Sequence, residues 1–259
     1  MIQNNNSEIY TKEPLIKMEN ICKHFGHITA LDNVDLEIYP NEILGMVGDN
    51  GAGKSTLIKI ISGYIRADNG DMYYKGKLVK ISSPREAQEL GIGTVYQDLA
   101  LIDCLNVASN VFLGREPVKA GIFVNRKRLN EQTMEVLKRI KIDIKQPNVI
   151  VGFLSGGQRQ SIAIARAISK ESNIYILDEP TAALGVKESG QVFEIIRELK
   201  ACGHTIIIIS HNLEIIFDLV DRIFVLRQGK KVGCQLVSET SKEEIVRMIT
   251  TGTSMNKKL

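Results

Sequence analysis

Cysteine is sparse and scattered. Cys22, Cys104, Cys202 and Cys234 form no C-x-x-C pair, so neither a disulfide framework nor a cysteine metal site is expected, and the four read as free thiols of a reducing compartment. Long apolar runs are also missing. Nothing approaches the ~18 apolar residues that a bilayer span requires, and the aliphatic piece Ile206 to Ile209 has the length of a core strand. The polar start "MIQNNNSEIYTKEP" lacks the apolar core of a signal peptide. Internal repeats and low-complexity linkers are absent, which argues against a solenoid. Neither sign of charge dominates: the net charge is +3, too mild to point to nucleic acid.

What is present is ordinary for a soluble globular protein, with 44% apolar and 24% charged residues. A chain of 259 residues can bury a sizeable core as one large domain or two small ones. Val34, Leu36 and Ile38 alternate with Asp35 and Glu37, as in a half-buried strand. "ILGMV" (43–47) is continuously apolar, as in a strand buried on both faces. A helix is expected through "TLIKIISGYI", a short strand between the turn signals "DNG" and "KGK", a short helix at "REAQEL" and a strand at "IGTVYQ". From about Asp98 to Phe153 helical patterns dominate, with Met134, Leu137 and Ile140 on one face. Strands and helices then alternate again through "NIYILDEP", 188–200, "HTIIIIS", 213–220 and "RIFVLRQGK". That alternation predicts a mainly parallel α/β core.

Four strand ends carry chemistry. Gly48, Asp49, Asn50, Gly51, Ala52, Gly53, Lys54 and Ser55 fit G-x-x-x-x-G-K-[ST], followed by Thr56, between a buried strand and a helix. This is the context of a phosphate-binding P-loop, with backbone N–H groups around the phosphates, Lys54 aimed at the β and γ groups and the Ser55 hydroxyl at Mg²⁺. Asp178 and Glu179 end the strand "IYIL". The first can face a metal through water and the second can orient or deprotonate an attacking water, although a strand-end acid pair also arises as a turn cap. His211 and Gln97 follow two further strands, and in open α/β sheets the ligand sits at such carboxyl ends. A second anion-binding pattern, Ser155-Gly156-Gly157-Gln158, opens a helix beyond the helical stretch. Its free N–H groups and dipole suit an anion, and a plain N-cap with glycines for close packing is the other reading of the string. A two-fold partner would resolve the surplus: each chain's second pattern would close over the other chain's γ-phosphate.

Taken together, residues of about 15–250 resemble ATP-binding cassette (ABC) ATPases. The matching motifs are Walker A at 48–55, a glutamine loop at Gln97, "LSGGQ" at 154–158, Walker B "IYILD" at 174–178, a catalytic-type Glu179 and a switch-type His211. The resemblance implies ATP and Mg²⁺ as ligands. It implies metal contacts from Ser55, Gln97 and, mostly through water, Asp178, and stacking of adenine on Phe25 in "CKHFG". The implied fold is α/β: a P-loop NTPase core of RecA-like type with a mainly parallel sheet, an N-terminal antiparallel β layer and a helical subdomain at about 98–165. One ATPase domain spans 14–250, with flexible tails at 1–13 and 251–259.

"SPREAQELGIGTVYQDLAL", "NVFLGRE" and "DEPTAALGV" are similar to segments of single-cassette importers of ribose-, xylose- or fructose-type sugars. The implied partners are a second cassette sandwiching two ATP, membrane permease subunits docked near Asp98 to Glu116 and, indirectly, an extracytoplasmic sugar-binding protein, with no nucleic acid. The implied place is the cytoplasmic face of the membrane, as a peripheral subunit. An importer of amino acids is the main alternative. Cassettes acting on nucleic acid carry a coiled-coil or zinc insertion that Thr56 to Leu154 lacks, and GTPases need an N-K-x-D that "NKKL" does not supply. One departure stands out: Gly185 occupies the loop position where such proteins usually carry Asp, which puts communication between the two sites in question.

Overall fold

A computed structural model describes residues 13–119, 121–182 and 184–253. A six-stranded sheet forms its centre, in the order β12 (Lys230–Leu236), β11 (Arg222–Arg227), β3 (Ile43–Val47), β10 (Thr205–Ile209), β9 (Ile174–Asp178) and β6 (Ile92–Val95). All neighbours are parallel except β11 and β12. The continuous apolar runs mark burial on both faces, and strand alternation divides them. Ile206 and Ile208 of β10, with Tyr175 and Leu177 of β9, join one core cluster. Ile207, Ile209, Ile174 and Ile176 join the other.

The first cluster packs under α5 (Gly156–Ile168), α6 (Val186–Ala201), α7 (Leu213–Leu219) and α8 (Lys242–Thr251). The second is closed by α1 (Lys54–Ile61) and by the antiparallel sheet β2 (Ile28–Ile38), β1 (Ile16–Phe25), β4 (Asn69–Tyr74) and β5 (Lys77–Val79). Val34, Leu36 and Ile38 are buried as their alternation requires, and α2 (Pro84–Glu89) starts at its proline with Ser83 as N-cap.

Several expectations need correction. The helix through "TLIKIISGYI" ends at Ile61, because Gly63 turns the chain at φ 71°. The strand at "IGTVYQ" stops at Val95, leaving Gln97 beyond the sheet. The inserted region holds α3 (Val107–Val111) and α4 (Arg126–Arg139), but also a hairpin of β7 (Val118–Lys119) and β8 (Phe123–Val124). Its last helix, α5, runs to Ile168 and so ends inside the main core. The expected face of α4 does hold, with Leu137 and Ile140 buried and Met134 partly covered against the same cluster, and Leu129 and Thr133 are buried beside it. Thr133 is tolerated there because its hydroxyl donates to the Leu129 carbonyl at 2.7 Å. The C-terminal helix reaches Thr251, inside the expected tail; residues 1–12 and 254–259 of the two tails lie outside the described residues.

At the amino ends of β3 and β11, Arg222 donates from Nη1 to both carboxylate oxygens of Glu42, at 3.1 and 3.0 Å. Both residues are buried, and the pair pins the sheet at the end away from the strand-end motifs.

Candidate functional site

Because β3, β6, β9 and β10 run parallel, their carboxyl ends emerge along one edge. A cleft of about 460 Å³ opens there, lined by Gly48, Asp49, Asn50, Gln97, Glu179 and His211 among others. The P-loop wraps its floor. Gly48 has φ 150°, and a Cβ on it would stand 2.2 Å from the Leu226 carbonyl oxygen, so no side chain fits where the loop leaves β3. Gly53, at φ 103°, is the left-handed N-cap of α1, which presents Ser55 and Thr56 in its first turn.

Lys54 folds over this loop. Its ammonium donates to the carbonyls of Gly48 at 2.6 Å and Asp49 at 2.9 Å. Burial lowers its pKa, opposed by the charges of Glu179, Asp49 and Asp178. The cation is thus placed among acids and held by acceptors that a phosphate can replace. Asp178 is raised above the ordinary carboxylate range, first by burial and then by the neighbouring Glu179.

Glu179 is the most tightly held side chain of the group. Its backbone takes the left-handed φ of 49°, with its N–H donating to the Ile209 carbonyl at 2.9 Å. One carboxylate oxygen accepts from the His211 backbone N–H at 3.0 Å and from its Nδ1 at 2.8 Å. The other accepts from the Ser210 hydroxyl at 3.3 Å. A carboxylate fixed from β10 in this way can take a proton at the mouth of the cleft. Ser210 is the partner that reading by motif missed; its only sequence signal is its place at the end of β10.

The signature lies elsewhere. Ser155 caps α5 through a capping box: its hydroxyl accepts the Gln158 N–H at 3.3 Å, and the Gln158 side chain accepts the Ser155 N–H at 3.1 Å. Ser155 and Gln158 face a separate depression of about 570 Å³, shared with Lys187, Glu188 and Gln191 of α6. Gly185 is the N-cap of α6. Gly156 is exposed, whereas Gly157 is buried with Glu188 against it, so close packing accounts for the second glycine.

Phe25 ends β1, is 47% exposed and has the Lys23 ammonium 5.6 Å from its ring centre. The turn beyond it enters β2, where the Ala30 carbonyl abuts Gly53. The half-exposed ring therefore stands a few residues along the chain from the carbonyl that packs on the P-loop.

The family model described as ABC transporter matches residues 31–182, from the antiparallel layer through the P-loop and signature to the loop after Glu179. The chain belongs to the ABC transporter family. It is an ATP-binding cassette, and its chemistry is ATP hydrolysis. The cassette is 46% identical over 236 residues to the xylose/arabinose import ATP-binding protein of Sulfolobus acidocaldarius, covering 91% of this chain and 94% of that one. It is 46% identical over 228 residues to the fructose import ATP-binding protein of Rhizobium meliloti, covering 85% and 88%. Among solved structures, a dimeric ATP-binding cassette in a post-hydrolysis state with ADP and Pi superposes with TM-score 0.72 at 28% identity, over 86% of this chain and 98% of that one. Among the described residues no helix is long and apolar enough to cross a membrane.

Proposed function

We propose that this cassette is the ATP-hydrolysing subunit of an importer that moves a simple sugar through a separate membrane permease. The observation that carries the mechanism is the division of the machinery between two depressions. The P-loop, Gln97, Glu179 and His211 share one cleft, while Ser155 and Gln158 open on another. A second copy, related by a two-fold axis, brings each signature over the other's P-loop, so that two chains enclose two ATP. The dimeric relative in its post-hydrolysis state supports this arrangement. The relatives named for xylose/arabinose and fructose import match over nearly their whole length and favour a sugar over an amino acid.

In this reading adenine stacks on Phe25 and the phosphates enter the P-loop. Lys54 leaves the Gly48 and Asp49 carbonyls for the β and γ phosphates. Mg²⁺ fits the donor set of Ser55, Gln97 and Asp178, which is all oxygen and includes a desolvated carboxylate already crowded by Glu179. When bound, the ion neutralises charge on the phosphates. Glu179, held by His211 and Ser210, takes the proton of a water as its oxygen bonds to the γ-phosphorus and the bond to ADP breaks. The permease docks near Asp98 to Glu116 at the cytoplasmic face of the membrane, and an extracytoplasmic binding protein delivers the sugar.

Two experiments test this. Reconstituted with its membrane permease, the cassette should show ATPase stimulation by one or a few monosaccharides of a panel and none by amino acids; the reverse pattern would overturn the substrate class. For the shared site, one chain carries Lys54→Ala and another Gly156→Asp. Neither alone should form an ATP-bridged dimer. Mixed, they should recover ATP-dependent dimers and single-turnover hydrolysis at one whole site. No recovery from two folded variants would defeat the two-chain site.

A further inference from the structure

We infer that Glu188 is a positioning residue that ties, within one chain, the loop leaving Glu179 to the first turn of the signature helix, and so sets the signature that the partner's nucleotide meets. The last clause rests on the two-chain site proposed above; the tie itself does not.

The geometry has three parts. Glu188 stands one turn into α6, and its Oε2 accepts the N–H of Gly185, the residue that caps this helix, at 3.1 Å. The same side chain lies on the first turn of α5. A Cβ built on Gly157 would stand 2.8 Å from Glu188 Cβ, 3.0 Å from Cγ and 3.4 Å from the carboxyl carbon, so only glycine lets the carboxylate settle there. The Gly185 N–H first, and then the nearby Ser155 side chain and Gly157 N–H, hold this carboxylate below the ordinary carboxylate range.

The path this closes is short. Glu179 ends β9 and bonds to His211 in the nucleotide cleft. The chain continues to Gly185, and the Glu188 side chain packs across onto Gly157. A displacement of the loop beside the catalytic carboxylate is thereby transmitted to the helix end that faces the other nucleotide. Negative charge at a helix N-terminus is also favourable in itself, which keeps the tie closed while no phosphate is present. Gly185 lacks a side chain to make such a contact. Glu188, on the next turn, supplies a carboxylate to this loop, directed at its own chain's signature.

Amide hydrogen exchange on the nucleotide-free chain tests the tie alone. Glu188→Ala should speed exchange of the Gly157 and Gln158 amides roughly fivefold or more, because the side chain packed on this first turn is lost. Glu188→Gln, which keeps an acceptor oxygen, should stay near the wild type. Unchanged exchange in Glu188→Ala, or an equal rise in both variants, would overturn the inference.

The mixed-chain assay then tests the consequence. Glu188→Ala added to the Lys54→Ala chain, which donates the working signature, should reduce single-turnover hydrolysis about tenfold. Added to the Gly156→Asp chain, which donates the working P-loop, it should leave the rate close to the parent mixture. A general loss of stability would act in either chain, so equal effects in both placements, or none in either, would overturn the proposed role. Absence of any recovery in the parent mixture would count against the two-chain site, and amide exchange then decides the tie.

Discussion

Replacing Glu179 by Gln isolates proton transfer from everything else the residue does. The side chain is 15% exposed and accepts three hydrogen bonds, from the His211 N–H, the His211 ring and the Ser210 hydroxyl. Gln has the same length, and its amide oxygen can still accept from His211. Its NH₂ group then faces Ser210, whose hydroxyl can turn to accept. The left-handed backbone at this position is unaltered in kind, since neither residue is β-branched. The fold and the nucleotide cleft should therefore survive, with ATP affinity changed less than about threefold, because the carboxylate is not itself a phosphate ligand. What disappears is a base. A positioned base is worth ~10² to 10⁴ in rate, so hydrolysis should fall at least about 100-fold, or about 2.7 kcal/mol of barrier. Phosphate release under saturating Mg-ATP measures this, with calorimetric titration for affinity and size-exclusion chromatography for the ATP-held dimer. Turnover within a few-fold of wild type would refute the assignment of Glu179 as base. Loss of ATP binding in step with turnover would show instead that the side chain builds the cleft.

Lys54→Ala should abolish measurable ATP binding by titration while leaving the melting temperature equal to or above wild type, because the native fold holds that cation partly desolvated. Phe25→Ala should weaken ATP binding roughly tenfold, in line with ~1–3 kcal/mol per stacked base, and Phe25→Tyr should restore it; equal affinity in all three would remove Phe25 from the site. Gly48→Ala should lower both the melting temperature and ATP affinity, since the added carbon meets the Leu226 carbonyl at 2.2 Å and the loop must move. Glu42→Ala should cost about 3–5 kcal/mol in urea unfolding by removing the carboxylate that the buried Arg222 faces. Its ATP affinity, measured well below the melting transition, should be retained, because the pair sits at the opposite end of the sheet.

The sequence by itself determined the sheet core and the chemistry at its edge. Continuous runs such as "ILGMV" and "TIIII" stay apolar only in strands covered on both faces, and the P-loop needs only the local order of strand, glycines, Lys54 and helix. The short helix at "REAQEL" is legible too, while its cap by Ser83 comes from the structure. What the sequence could not show depends on residues far apart along the chain. Leu226, at the end of β11, decides why Gly48 must be glycine. Glu42 and Arg222 are legible only as two isolated charges until β3 and β11 become neighbours. Ser210 reads as an ordinary strand-end serine until parallel pairing of β9 with β10 sets it beside Glu179. The signature glycines show the limit most clearly. The string "SGGQ" fits an anion site or a packed helix end, and only the tertiary fold sets exposed Gly156 beside Leu184 and makes Gly157 a seat for Glu188. Local sequence fixes backbone propensity and the order of functional groups, whereas side-chain environments arise from contacts that chain closure creates.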